Sequence, residues 1–307
     1  MTLDIEKKRL VELLEPLATK EWLTDSILNN VRFIRSSRHF PRHPLVYEPG
    51  ILIIAQGEKI VYLGNEIYKY DADNYLVRTM PLFMELETIA SPEEPLLEIG
   101  IKIDPVMISE LLIEMDPVSP ISGSMPRGVY SSRVTKVILD AVIRLLECLS
   151  DPVDGRVLGP QIVREIIYRV LCGEQGEVLR LLAIRHGRFS QMAKVLNRIH
   201  TSFNTKLDIE TLAEEANMSV SSLHSNFKTV TNTSPIQYIK EIRLQKARIF
   251  MVQDGLNAID AAVKVGYESA SQFSREFKRY FGHTPADEAI RIRNFIGSPF
   301  ISEAASA

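Results

Sequence analysis

Cysteine is almost missing from this chain: Cys148 and Cys172 are the only two among 307 residues. Each falls in an apolar helical pattern, which reads as a buried free thiol and offers no disulfide framework. Long apolar runs are missing as well, since none approaches the roughly 18 residues that a membrane-crossing helix needs. The opening MTLDIEKKRLVELLEPL is a charged amphipathic helix pattern and lacks the unbroken apolar centre of a secretion signal. A cytoplasmic protein with no membrane partner is expected. Nucleophile elbow, P-loop and dinucleotide fingerprint are all absent, and Gly-Glu-Gln-Gly at 173–176 reads as a turn between helices. The six histidines, His39, His43, His186, His200, His224 and His283, include no His-x-His pair. His39 and His43 flank Pro41 in an expected loop, so no set of three or four convergent metal ligands is offered, and no cofactor is expected.

A strong net charge is lacking too. The total is −3, which alone argues against nucleic acid. The halves differ, however: residues 185–307 hold 16 Lys/Arg against 12 Asp/Glu, and residues 1–184 hold 20 against 27. The C-terminal part is the basic one, as phosphate binding requires.

What the basic part contains is one device written twice. DIETLAEEANMSVSSLHSNFKTVTNTSP (208–235) and NAIDAAVKVGYESASQFSREFKRYFGHTP (257–285) align at an offset of 49 in their first helices, Leu212-Ala213 over Ala261-Ala262. Their second helices align at 50, with Ser219 over Ser269, Leu223 over Phe273, Phe227 over Phe277 and Pro235 over Pro285. The slip falls in the turn, where GYES replaces NMS. Each first helix carries a small or apolar stripe, Ile209, Leu212, Ala213 and Ala216, then Ile259, Ala262 and Val263. Asn217 and Gly266 suit a turn that needs positive φ, and Ser219 and Ser269 stand where N-caps are needed. The second helices bury residues four apart (Leu223 and Phe227, Phe273 and Phe277) and turn short polar or basic residues outward. These are helix-turn-helix units, at 208–228 and 257–278, whose second helix is the piece that enters a DNA major groove. A repeat of helical hairpins that binds protein is the blander alternative; short polar residues beside Lys and Arg suit a groove better.

Between the copies, residues 235–253 read as one helix. Ser234 is its cap, Pro235 lies in its first turn, and Ile236, Ile239, Ile242, Leu244 and Ala247 are on its buried side. Such a rod of about 27 Å would hold two recognition helices roughly one DNA turn apart. With SPIQYIKEIRLQKAR, GYESASQFSREFKRYFGHTP and the two-copy layout, about 100 residues resemble the AraC/XylS family of bacterial transcription regulators. The resemblance implies base-facing positions at Ser221, His224 and Ser225 in the first copy, and at Ala270, Ser271, Ser274 and Arg275 in the second. Lys228 and Lys278 are expected on phosphates. Pairing of Arg275 with Glu268 or Glu276 is the competing structural reading. The first copy departs from the family's habit of placing Arg where Ser225 stands.

Upstream, VRFIR, ILIIA, KIVYLG, EIYKY, NYLVRT, LFMELETI and LLEIGIKI read as seven short strands broken by turn residues, which predicts a cupin-like β-barrel or jelly roll over about 30–103. HPLVYEPGILIIAQGEKIVYLGNEIYKYDADNYLV resembles the N-terminal sensory domain of a large AraC subgroup, and so implies a small-molecule effector. Helices are expected from residue 3 to 20, from Asp104-Pro105 to Met115, and at 177–184, with a loop at 116–130. Two more follow from apolar stripes, one through Val134, Val137, Ile138, Ala141, Val142, Leu145 and Leu149, the other through Ile162, Val163, Ile166, Ile167, Val170 and Leu171. Those stripes either pack on the barrel or form the homodimer interface that the family commonly uses.

The fold class expected is thus α+β multidomain: a sensory and dimerisation domain (1–184), a linker (185–190), and an all-α DNA-binding domain (191–295) closed by a helix from Ala286 to Phe295, with a frayed end GSPFISEAASA. The function expected is an AraC/XylS-type regulator, not an enzyme, with double-stranded DNA, a second copy, RNA polymerase and an effector as partners. The alternatives are a constitutive dimeric regulator whose barrel is only a scaffold, or an enzyme built on the barrel.

Overall fold

The computed structural model describes residues 2–115, 126–183 and 187–296. Most of the expected loop at 116–130, part of the linker and the whole of GSPFISEAASA lie outside the described residues. The chain divides into two compact units, Met1–Ala193 with Thr229–Asn232, and Lys194–Lys228 with Thr233–Ala307.

The first unit opens with helix α1 (Thr2–Leu14). Strands β1 (Trp22–Asp25), β2 (Val31–Ser36), β3 (Phe40–Tyr47), β4 (Gly50–Gln56), β5 (Glu58–Leu63), β6 (Glu66–Tyr70), β7 (Asn74–Arg78), β8 (Leu82–Ile89) and β9 (Leu96–Lys102) follow. Then come α2 (Pro105–Glu114), β10 (Val129–Arg133), α3 (Lys136–Leu149), α4 (Pro152–Val157), α5 (Gly159–Leu171) and α6 (Gly176–Ala183). The strands form a six-stranded sheet, β1-β2-β9-β4-β7-β10, and a four-stranded sheet, β3-β8-β5-β6, antiparallel throughout.

This is the sheet-rich domain that the alternating runs predict, but the barrel expectation needs correction: no ladder among the described residues closes the two sheets on each other. Where β10 and β6 come side by side, the Ser131 hydroxyl donates to the Lys69 carbonyl at 3.4 Å in place of a ladder. The apolar run Gly50–Ala55 is unbroken because β4 is buried on both faces. Ile51 and Ile53, with Leu97, Ile99 and Ile101 of β9, face a core completed by α1, α3 and α5. The other face holds a buried ion pair between the sheets, Lys59 Nζ of β5 to Glu98 Oε2 of β9 at 2.5 Å.

The same core settles which way the two helical stripes point. Ile138, Ala141, Val142, Leu145 and Leu149 of α3 and Val163, Ile166, Ile167, Val170 and Leu171 of α5 all pack into it, and only Val137 is left exposed. The packing reading holds for these residues, and they are removed from any dimer interface. Two further corrections concern single residues. Cys148 is buried as expected, but Cys172 is exposed, because it stands at the C-cap of α5 past the apolar stripe. His43 lies on β3 rather than in a loop, its Nδ1 2.9 Å from the Pro41 carbonyl oxygen.

From residue 188 onward the described chain is all helix: α7 (Arg188–Ser202, which therefore begins inside the expected linker), α8 (Ile209–Glu215), α9 (Val220–Thr231), α10 (Pro235–Gln253), α11 (Ala258–Lys264), α12 (Ala270–Phe281) and α13 (Pro285–Ile296). The central rod α10 has the predicted bounds, and Ser234 caps it by accepting from the Gln237 amide. Its 19 residues make it about 28 Å long. Ile236, expected on its buried side, is exposed. Charged side chains tie the rod to its neighbours: Arg243 donates to the carbonyls of Phe203 (2.7 Å) and Thr205 (2.8 Å). Arg248 pairs with buried Glu288 of α13 at 3.5 Å and lies over the Phe281 ring.

Candidate nucleic-acid interface

The two copies match turn for turn. Helices α8 and α11 have seven residues each, and α9 and α12 have twelve. Asn217 (φ 50) and Gly266 (φ 84) both take the left-handed conformation that ends the first helix. The next amide then folds back to the helix, Met218 to the Ala213 carbonyl at 2.8 Å and Tyr267 to Ala262 at 2.9 Å. That bond equates Met218 with Tyr267, so the extra residue of the second copy is Glu268. A side chain at Gly266 is excluded by φ and by space, because a Cβ there would sit 2.5 Å from the Asn204 carbonyl oxygen. The caps agree as well: Ser219 Oγ accepts from the Ser222 amide and Ser269 Oγ from the Gln272 amide, both at 3.2 Å.

The first helices refine one expectation. Leu212 and Ala213, and likewise Ala261 and Ala262, are buried. Ile259 and Val263, expected on the buried stripe, are exposed, because at the same offset they stand where the first copy has Glu210 and Glu214.

The second helices present the same face in each copy. Leu223 and Phe227 in α9, and Phe273 and Phe277 in α12, are fully buried. Ser221, Ser222, Ser225 and Lys228 are exposed, as are Ser271, Gln272, Arg275 and Lys278. His224 and Asn226, and their equivalents Ser274 and Glu276, are half-buried, and so is Ala270 at the start of α12. Every sequence-predicted contact residue therefore lies on the outward side of its helix or at its margin.

Chemically the two faces differ. In α9, the Ser219 hydroxyl donates to Ser222 Oγ at 3.0 Å and lies 3.1 Å from Ser221 Oγ, so the cap engages the short hydroxyls around it. In α12, Arg275 is exposed and has no hydrogen-bond or ion-pair partner among the described residues. Glu276, its suggested competitor, accepts from Lys240, Gln272 and Tyr267 instead. Lys228 and Lys278 are likewise exposed and without partners among the described residues. Gln272 and Arg279, both exposed, were missed by sequence reasoning; the offset of 50 that sets Ser222 under Gln272 was the available signal for the first. Among the described residues no three His, Cys, Asp or Glu side chains converge as metal ligands, and no helix is long and apolar enough to cross a membrane.

A sheet domain joined to a helical unit that shows two equivalent polar helices behind two equivalent turns defines the class: a regulator built on a tandem helix-turn-helix. Comparison with known proteins agrees with it. Residues 27–178 match the family described as the AraC-type transcriptional regulator N-terminus, and residues 212–288 match a helix-turn-helix domain family. The Msm operon regulatory protein of Streptococcus mutans is 29% identical over 96 residues, 31% of this chain and 34% of that protein. The transcriptional activator RhaS of Salmonella paratyphi A is 28% identical over 166 residues, 52% of this chain and 58% of that protein. The chain thus spans between about a third and three-fifths of the length of these curated relatives. Among solved structures, a variant of apo ToxT from Vibrio cholerae shares the fold, with TM-score 0.54 and 10% identity over 88% of this chain and 99% of that one. The chain belongs to the AraC/XylS family of transcription regulators.

Proposed function

We propose that this protein is a sequence-specific DNA-binding transcription regulator in the cytoplasm, not an enzyme, with residues 191–295 carrying the DNA contacts. The observation that supports this most directly is the identical order of exposed, half-buried and buried positions along Ser221–Lys228 and Ser271–Lys278. Two surfaces of that kind on one rod fit two successive segments of major groove. Ser221, His224, Ser225, Ala270, Ser271, Ser274 and Arg275 read base edges, and Lys228 and Lys278 neutralise phosphates. Residues 1–184 bind a small-molecule effector and form a homodimer, with 185–190 between the domains. The homodimer uses a surface of residues 1–184 other than the buried α3 and α5 stripes. Regulation works through coupling: an effector that binds one arrangement of the sensory domains more tightly shifts promoter occupancy and contact with RNA polymerase.

The test is binding of duplex DNA by residues 188–295 and by the intact chain across a salt series. Both should bind, and neutralising about four phosphates would cost roughly a hundredfold in affinity between 50 and 200 mM salt. Failure of both to bind duplex DNA at low salt would sink the reading.

Within that interface Arg275 is expected to be the strongest single base contact. Its guanidinium can bridge guanine O6 and N7 in two bonds, whereas the serines offer short, ambiguous ones. Arg275→Ala should lose about 1–3 kcal/mol at one base pair and relax the preference there. Lys228→Ala and Lys278→Ala should weaken all sequences alike and flatten the salt slope. Selection from a random duplex pool separates the cases: an unchanged motif with uniformly reduced affinity would move Arg275 to the phosphate class.

A further inference from the structure

The two copies differ in one respect that their shared exposure pattern hides. Behind the second recognition helix lies a carboxylate with three donors from three places. Glu276 Oε1 accepts from Lys240 Nζ of α10 at 3.3 Å and from Gln272 Nε2, one turn back on α12, at 3.2 Å. Its Oε2 accepts from the hydroxyl of Tyr267, in the turn, at 2.9 Å. Burial opposes the charge on Glu276, but the bonds from Gln272, Tyr267 and Lys240 outweigh it and hold the carboxyl below its ordinary range. The Tyr267 phenol is pushed well above its ordinary value by burial and then by its bond to Glu276. Tyr267 in turn packs edge-on against Phe273, 5.3 Å between ring centres, so the network reaches the buried side of α12. At the equivalent place in the first copy stands Asn226, whose amide donates weakly, Nδ2 to Met218 Sδ at 3.5 Å. Asn226 itself makes no bond to the central rod among the described residues, and α9 meets the rod beside it through Phe227, edge-on to Tyr238 with 5.2 Å between ring centres.

We infer that Glu276 is a positioning residue for sequence recognition: it fixes the roll of α12 on the central rod, and so sharpens the reading of the base pairs that α12 faces. Bidentate readout demands a fixed donor geometry, because a small rotation of the helix turns two good bonds to a base edge into one poor one. Arg275 precedes Glu276 in the same turn of α12, so the carboxylate anchors the backbone from which Arg275 projects. Charge-assisted bonds from α10 and from the turn, with Gln272 steadying the carboxylate from within α12, hold that geometry.

This inference rests on the DNA-binding reading proposed above, and the experiment separates the two. Random-pool selection is run with the intact wild-type chain, Glu276→Gln, Lys240→Gln and Arg275→Ala, with each variant's folding checked by thermal melting. The positions altered by Arg275→Ala identify the base pairs read by α12. At those positions Glu276→Gln and Lys240→Gln should lower discrimination between the best and second-best base about tenfold, the scale of one bidentate contact, while the preferences at the other block stay as in wild type. Lys240→Gln keeps the carboxylate and its other two donors, so it decides the matter if Glu276→Gln fails to fold. A uniform fall in affinity with an unchanged motif, or equal broadening in both blocks, overturns the inference and leaves Glu276 a structural residue only. A wild-type chain that enriches no motif overturns the DNA-binding reading itself.

Discussion

Phe277→Ala is expected to destabilise the helical unit strongly while leaving the sheet unit unaffected. Phe277 is fully buried, 5.3 Å from the Phe273 ring and 4.4 Å from the Phe281 ring. It belongs to a core of Leu244, Ala247 and Met251 of α10, Ala261 and Ala262 of α11, and Val265 just past the end of α11. Two of those neighbours are already alanine on a seven-residue helix, so little nearby bulk can move in to fill the space. Truncating a buried phenylalanine costs about 3–5 kcal/mol, a large share of a typical domain's margin of about 5–15 kcal/mol. For a unit of this size the transition should fall by roughly 15 °C or more. Calorimetry of the intact chain should show one transition displaced by that amount and another in place. DNA binding should be lost for every sequence, unlike the selective effect of Arg275→Ala. A shift under about 5 °C would mean that α12 is not held by this core.

The second large effect is expected inside the sheet unit. Glu98→Ala removes the partner of Lys59, whose side chain is 7% exposed. An ammonium left buried without its carboxylate costs about 3–5 kcal/mol, far more than breaking a surface pair. Replacing both, as Lys59→Met with Glu98→Leu, should restore most of that loss, because neither charge then has to be desolvated. The measurement is a double-mutant cycle of urea midpoints for the transition of the sheet unit. Additive losses from the two single variants would show that the charges do not interact across the sheets. A stable double variant would show that the pair is retained for something other than stability.

What this sequence determines by itself is its local devices. The offsets of 49 and 50, the caps at Ser219, Ser234 and Ser269, the left-handed residues Asn217 and Gly266, and the four-residue spacing of buried aromatics each act within one or two turns of chain. They therefore appear in the sequence as pattern, and they carry the tandem helix-turn-helix and the family. Seven strands were legible for the same reason, since alternation is local. The strands that were missed show where locality ends. β3 carries Pro41 and Pro44, which argue against a strand, and it is tolerated only because it is an edge strand paired on one side to β8, with an irregular register between Phe40 and His43. β10 reads VYSSR, with too few apolar residues to signal a strand, and is made one by pairing with β7.

Only the tertiary structure decided the rest, because each case joins residues far apart in sequence. The faces of α3 and α5 are equally apolar whether they meet a sheet or a second copy, and it is the arrival of β4 and β9 that buries them in this chain. Lys59 and Glu98 are unremarkable strand residues until two sheets bring them to 2.5 Å. Ile259 and Val263 look like core until the packing of α11 turns them outward. Glu276 looks like a partner for Arg275 beside it, yet adjacent residues on a helix point in different directions, and its carboxylate meets Lys240, 36 residues earlier, instead. Periodicity says that a residue is buried or that a helix has a face; which group arrives opposite depends on how the chain closes over long separations, and no local pattern encodes that.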